Sequence, residues 1–377
     1  MKILFWFSLI TLLYLYFGYP LIIYLLSFFY KKPICRKYIY PSVSILLPVY
    51  NEAKHIERKI KSLLEIEYPD AQIEIIIGSD GSTDKTDEII EQLGSKKIKF
   101  FRHEQRKGKP SMLNLLAAQA KGEILVLTDA RQKLDKMAVK ELVRNFTDRR
   151  VGSVSAELHF ENEKNKAGNG IGFYWRYEKF IRHAEAKMGS MLGATGALYA
   201  VRKDLFSRLP EDIILDDVYI PLNVILRGYR AIFEPKAKIY DRVSKNPKEE
   251  FVRKARSHAG NFQLFYYFPG FFNPFRGKIS WQFFSHKFLR LLGPFLLAAF
   301  FVSNLFLVKE MPYGIVFLAQ ALFYLLALWG VVYKKAYRLF DIPHMFCLMN
   351  TAALVGLYRF LLRKQNILWR KGEVAHV

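Results

Sequence analysis

Cysteine is nearly absent: Cys35 and Cys347 are the only two in 377 residues. That excludes a disulfide-stapled scaffold and leaves no cysteine-based metal spacing. Acidic residues are also scarce, 34 against 57 Lys and Arg, for a formal net charge of +23. There is no internal repeat and no low-complexity tract. Disorder is excluded by what is abundant, because 51% of residues are apolar and 16% aromatic, whereas disorder needs low hydrophobicity beside high charge. The apolar residues are gathered in blocks, which points to an integral membrane protein with a water-facing domain.

Charge is missing altogether from residues 3–30. At 1.5 Å per residue about 20 residues cross the hydrocarbon core, so 1–30 is expected to be a transmembrane helix. A cleaved signal peptide would have an apolar stretch of only about 7–15 residues and a small-residue cleavage site. Lys31, Lys32, Arg36 and Lys37 come after the run and only Lys2 precedes it. The positive-inside rule then puts the domain after this helix in the cytoplasm, as part of a multi-pass protein of the inner or plasma membrane. Region 287–377 is expected to hold further membrane segments. Residues 288–308, with Arg290, and 312–333 read as a helical hairpin. Residues 342–358 are shorter and contain His344 and Asn350, and the tail carries Arg359, Arg363, Lys364, Arg370 and Lys371. A crossing there would place those cations outside, against the rule. Either that segment is re-entrant or interfacial, or another segment also crosses. Between them, 262–286 mixes aromatics with Pro, Gly and a few cations, which suits an interfacial collar; an aromatic corner of the water-facing domain is the alternative. The cationic runs lie beside membrane segments, so anionic lipid is a simpler partner than nucleic acid.

Residues 41–261 read as one cytoplasmic domain. Strands are expected at 43–47 (ended by Pro48), 73–77, 98–101 and 124–128, and helices at 52–64, 86–93 and 111–120. Short apolar strands alternating with helices imply an α/β domain with a mostly parallel sheet covered on both faces. In such sheets ligands bind beyond the carboxyl ends of the strands, where 48–52, 80–84 and 129–131 fall.

The motifs PVYNE (48–52), SDGSTD (79–84), GKPSMLN (108–114), TDAR (128–131), GATGA (193–197), LDDV (215–218) and RKARSHAGN (253–261) occur in this order. The chain thereby resembles the membrane-bound, polysaccharide-synthase-like branch of the family 2 glycosyltransferases. The resemblance implies a GT-A fold that binds a nucleotide sugar, with transmembrane helices around it. It implies that Pro48, Tyr50, Glu52 and Asp80 hold the base and ribose. Carboxylates can accept from the uracil N–H and ribose hydroxyls, and Tyr50 offers a flat face. Helix capping is the competing reading for Glu52 and Asp84. Ser79 stands where the family often has an acid. Lys109, just before a helix, suits phosphate or a base edge; Arg102, Arg106 and Lys107 read as a solvated basic face.

Asp129 looks like the first Asp of the family's D-x-D metal motif, which implies Mg²⁺ or Mn²⁺ bridging diphosphate oxygens. The third position is Arg131 instead of Asp. Either Asp129 binds metal with help from elsewhere, or Arg131 neutralises diphosphate, or Arg131 simply pairs with Asp129. Asp216 and Asp217 resemble the family's acidic pair, with Asp217 as general base, and a helix cap is the alternative. Gly196, within GATGA, would floor the acceptor site. Arg253 and Arg256 stand where processive synthases carry Q-x-x-R-W; Arg256 matches the diphosphate-binding Arg, while Arg253 and Ser257 replace Gln and Trp. The expected activity is inverting transfer from a nucleotide donor, a UDP-sugar, to a glycan or lipid-linked acceptor for cell-surface polysaccharide. A polyprenyl-phosphate glycosyltransferase and a non-catalytic nucleotide-sugar-binding partner of an export complex are the alternatives.

Overall fold

The computed structural model describes residues 1–161, 169–242, 247–332 and 338–364. The chain forms two compact units. Among the described residues, one comprises 1–29, 169–184, 247–332 and 338–364, and the other 30–161 and 185–242.

The second unit is built on an eight-stranded mixed sheet. Its strands are β1 (Val43–Val49), β2 (Ile73–Asp80), β3 (Ile98–His103), β4 (Ile124–Thr128), β5 (Lys133–Leu134), β6 (Val151–Glu161), β7 (Leu198–Arg202) and β8 (Arg230–Arg242). Their order is β3-β2-β1-β4-β7-β6-β8-β5. The half expected from the sequence, β3-β2-β1-β4, is parallel. Beyond it β7 runs antiparallel to both β4 and β6, and β5 antiparallel to β8, while β6 and β8 are parallel. The sheet is thus mixed with parallel pairings in the majority, in keeping with the expected mostly parallel sheet. Strands β1 and β4 are buried along their whole length, as all-apolar runs covered on both faces should be. Pro48 does not end β1; it pairs in register with Gly78, and the strand runs on to Val49.

The strand ends lead into tight turns that position polar groups. The helix expected from residue 52 begins at Ile56. The preceding turn has Asn51 at φ 53°, a left-handed geometry that Asn tolerates better than most residues. The Asn51 N–H donates to Ser82 Oγ at 3.1 Å, and its Oδ1 accepts from the Thr83 N–H at 2.7 Å. Asp84 accepts from the N–H groups of Ala53 and Thr86, tying the turn after β1 to the turn after β2. Helix Lys109–Gln119 is entered through Gly108 at φ 98°, with Pro110 in its first turn. A Cβ at Gly78 would lie 2.2 Å from Met112 Sδ, so glycine lets this helix pack closely on β2.

The first unit contains four helices long and apolar enough to cross a membrane: Lys2–Phe29, Lys278–Leu307, Tyr313–Val331 and Leu339–Leu361. The protein is accordingly multi-pass. Residues 342–358, left open by the sequence, are part of a full-length candidate span. The second span starts ten residues before the expected 288, so it takes in the end of the expected interfacial collar. Phe283, Phe288 and Phe272 pack on Phe265 with centroids 6.0, 5.4 and 4.7 Å away, while Phe275 is 94% exposed. Lys2 Nζ lies 2.7 Å from Glu310 Oε2, so the start of the first helix and the turn of the hairpin share one end of this unit.

Among the described residues of 41–261, residues 169–184 and 247–261 group with the membrane helices. Helix Pro247–Tyr267 lies against the fourth candidate span across Gly356, where a Cβ would sit 2.7 Å from His258 Cβ.

Candidate functional site

Four polar side chains from separate elements converge at the carboxyl end of β4. Asp129 comes directly after β4, Lys109 opens its helix, Tyr199 lies on β7, and Asp216 begins helix Asp216–Leu226. Lys109 Nζ is 2.9 Å from Asp129 Oδ1 and 3.1 Å from Asp216 Oδ1, so one ammonium bridges two carboxylates. Tyr199 Oη donates to Asp216 Oδ2 at 3.0 Å. Asp216 is nearly enclosed at 7% side-chain exposure, whereas Asp129 at 36% opens to solvent. Burial alone would lower the Lys109 pKa, but Asp129 and Asp216 outweigh it and hold the ammonium above its ordinary value. Burial, then the charges of Asp216 and Asp217, push the Tyr199 phenol well up, so it stays a donor.

Asp217 is next to this cluster. Its carbonyl accepts from the Ala194 N–H at 2.7 Å, tying the helix start to the GATGA loop. A Cβ built on Gly196 would lie 3.0 Å from Asp217 Oδ2, so Gly196 makes room for that carboxylate. Gly196 has no left-handed φ, so alanine fits its backbone and its effect falls on the carboxylate. Gly196→Ala is expected to lower kcat by up to about 10²-fold, the scale of a 1 Å misplacement, with donor KM nearly unchanged. Steady-state kinetics check this.

Residues 44–209 match the family described as Glycosyl transferase family 2. The protein carries a family 2 glycosyltransferase domain. It is 27% identical over 305 residues to a probable glycosyltransferase, YdaM, of Bacillus subtilis (strain 168), covering 76% of this chain and 71% of that one. It is 27% identical over 213 residues to a poly-beta-1,6-N-acetyl-D-glucosamine synthase of Staphylococcus aureus (strain COL), covering 55% of this chain and about half (51%) of the synthase. Among solved structures it is similar to the mannosyltransferase PcManGT from Pyrobaculum calidifontis, in complex with GDP-Man and Mn²⁺. The TM-score is 0.73 at 23% identity, over 95% of this chain and 99% of that one, which shows a shared GT-A fold.

Arg131 of the transferase does not pair with Asp129. Its Nε and Nη2 donate to Asp241 Oδ1 and Oδ2 at 3.1 and 2.7 Å, a bidentate pair with the end of β8. Gln132 Nε2 also donates to Asp241, and Arg58 donates to the Arg131 carbonyl. The side chain that replaces the second D-x-D acid thus pins the segment after β4 to β8.

Asp80 is fully buried, and its two oxygens accept from the N–H groups of Lys107 (2.8 Å) and Gly108 (2.7 Å), with His103 Nδ1 at 3.2 Å. It positions the loop that delivers Lys109. Pro48 is likewise buried within β1. Tyr50 is partly exposed, and the Arg106 guanidinium lies over its ring, 3.7 Å from the centroid. Arg106 is therefore not part of a solvated face. It covers the aromatic surface assigned to the base, and its Nε and Nη2 have no hydrogen-bond partner among the described residues. Glu52 lies in the adjoining turn, its N–H donating to Thr86 Oγ1 at 2.8 Å. Arg253 and Arg256 are on helix Pro247–Tyr267 in the other unit, where Arg253 pairs with Glu250 and lies 5.8 Å from the Trp175 ring centroid.

Among the described residues no three His, Cys, Asp or Glu side chains gather to hold a metal. A hard divalent ion does not require such a cage, because one carboxylate with substrate phosphates and water suffices. Partly exposed Asp129 fits that arrangement.

Tyr199 and Lys59 carry no sequence signal of a site. Both lie within apolar patterns, on β7 and on helix Ile56–Leu64, and periodicity marks them as core positions. Lys59 is 1% exposed, and its ammonium donates to Thr128 Oγ1 (2.8 Å) and the Gln132 carbonyl (3.1 Å), one partner on each side of Asp129. Burial lowers its pKa from 10.5 to about 7. The folded value lies below the unfolded one, so the cost to stability is complete below pH about 7 and fades as pH rises towards 10.5. The thermal midpoint of the wild type relative to Lys59→Met is expected to rise between pH about 7 and about 9. Melting both proteins in parallel checks this.

Proposed function

We propose that the transferase moves a sugar from a nucleoside diphosphate donor, UDP-linked, onto a hydroxyl of a glycan or lipid-linked acceptor, with inversion, for cell-surface polysaccharide synthesis. The observation that carries this reading is the Lys109 ammonium between Asp129 and Asp216, with Asp217 beside it in the space left by Gly196. A cation and an acidic pair at one strand end supply what the reaction needs: charge neutralisation for the diphosphate and a base for the acceptor. The similarity to a polysaccharide synthase supports the product class. The cations just after residue 30 support a cytoplasmic site.

In this reading the acceptor oxygen forms its bond to the anomeric carbon from the face opposite the diphosphate. Asp217 takes the hydroxyl proton as the bond forms. The bond between the anomeric carbon and the phosphate oxygen breaks, and the nucleoside diphosphate leaves with the electron pair. Lys109 turns from the carboxylates to the diphosphate oxygens. Asp216, held by Tyr199, keeps Lys109 and the first turn of its helix in register. Tyr50 stacks the base once Arg106 swings aside, and Arg106 then has free N–H groups for it. Asp129 would hold Mg²⁺ or Mn²⁺, which would supply further neutralisation of the leaving group.

Calorimetric titration of the detergent-solubilised protein with UDP and GDP, each with and without Mn²⁺, tests the donor. Tighter binding of UDP, weakened by Tyr50→Ala, is the expected result. Equal indifference to both nucleotides would overturn the reading.

A further inference from the structure

The membrane unit contains a half-open cavity of about 680 Å³, within the range of about 300–1,000 Å³ typical of small-molecule sites. All four candidate spans and helix Asn169–Met188 contribute to its wall, which is aliphatic and aromatic through residues such as Leu12, Phe180, Leu297, Phe323 and Met349. A cavity with such a lining offers water few partners. In a membrane unit the available occupant is a hydrocarbon chain.

The polar lining groups are mostly committed to one another. Tyr16 Oη donates to Asn350 Oδ1 at 3.1 Å, and Tyr177 Oη donates to the Tyr16 carbonyl at 3.0 Å. Arg290 pairs with buried Glu178, and His286 Nε2 is 3.4 Å from the other Glu178 oxygen. Two lining residues keep an unpartnered nitrogen: Arg290 Nε, a donor, and His258 Nδ1, a donor in one of the two neutral tautomers, have no hydrogen-bond partner among the described residues. An arginine inside an apolar span is costly and marks a functional position. The surroundings carry an excess of positive charge. Burial first, and then Lys254, Arg290 and Lys287, depress the His258 pKa to about 3, and Glu178 offsets them only in part. A positive, hydrogen-bond-donating end joined to an apolar chamber matches an amphiphile with an anionic oxygen headgroup.

We propose that this cavity holds one lipid molecule, its chain among the apolar side chains and its phosphate-bearing headgroup at the Arg290 and His258 end. The shared chemistry is a phosphate on a long apolar chain, whether a phospholipid diester or an isoprenyl monoester. The proposal does not depend on the donor chemistry of the other unit.

Native mass spectrometry of the full-length protein, released from detergent, tests it with four probes: dioleoyl phosphatidylglycerol, dioleoylglycerol, undecaprenyl phosphate and undecaprenol. A one-to-one adduct with at least one phosphate-bearing lipid, at least tenfold more abundant than with its uncharged counterpart, is expected. The lipid retained distinguishes the diester from the monoester. Met349→Trp, which fills the chamber, is expected to remove the adduct. His258→Leu is expected to weaken it several-fold while leaving the chamber open, and elution as a single species in gel filtration confirms that each variant is folded. Leu13→Trp replaces Met349→Trp if the latter does not elute so. Several lipids per protein, equal retention of the uncharged probes, or adducts unchanged in the variants would show ordinary boundary lipid and overturn the proposal.

Discussion

Asp217→Asn is expected to lower sugar transfer by about 10²–10⁴-fold, the usual contribution of a positioned general base, while donor affinity changes by less than about threefold. The asymmetry comes from placement. Asp217 lies against Gly196 in the GATGA loop, and the ion pairs of Lys109 at 2.9 and 3.1 Å are with Asp129 and Asp216. An amide in its place preserves shape and hydrogen-bonding reach but cannot take a proton. Asp216→Asn is expected to differ in kind. It weakens the partner of both Lys109 and Tyr199, so donor KM rises along with the fall in kcat. Steady-state kinetics on the two variants, with donor binding measured separately, distinguish the roles. Equal loss of binding in both would remove the base assignment from Asp217.

Lys109→Met carries the second large effect. Without the ammonium, Asp216 is a carboxylate at 7% exposure held by the neutral Tyr199 hydroxyl. Breaking a buried ion pair from one side costs about 3–5 kcal/mol, so the variant is expected to melt well below the wild type. Loss of a charge-assisted bond to diphosphate, worth about 1.5–3 kcal/mol, is expected to weaken donor binding by at least tenfold. Mn²⁺ binding to the donor-free protein should move the other way, because Asp129 is released from a competing cation. Electron paramagnetic resonance of free Mn²⁺ reads that directly. Weaker Mn²⁺ binding in the variant would mean that Lys109 supports the metal site instead of occupying its place.

The first half of the sheet and the strand-end motifs are legible in the sequence because their signals are local. The run ILVLT is all apolar, ends at Asp129 and is found as β4 with the same bounds. The antiparallel β7 is not legible, because GALYAVR reads as a strand of either direction and its pairing is decided by β4 and β6. Residue type fits the family pattern at Asp80, yet its buried carboxylate holds the Lys107–Gly108 backbone, a bond that no one-dimensional pattern encodes. Arg131 illustrates the same limit, since its partner Asp241 is 110 positions away in sequence. The stacking of Arg106 on Tyr50 likewise joins two loops that are separate in sequence. Absence of charge reveals the membrane helices but not their ends, because Lys278 and Arg290 interrupt the pattern while the helix continues.

Turnover is the most direct test of the proposed chemistry. The measurement is nucleoside diphosphate release by detergent-solubilised protein from a panel of nucleotide sugars, with and without Mg²⁺ or Mn²⁺, with Asp217→Asn in parallel. Metal-stimulated release from one UDP-sugar is expected, falling by about 10²–10⁴-fold in the variant. Release that is unchanged in Asp217→Asn, or donor binding without release even when membrane extract supplies acceptors, would contradict the transferase chemistry assigned to this site.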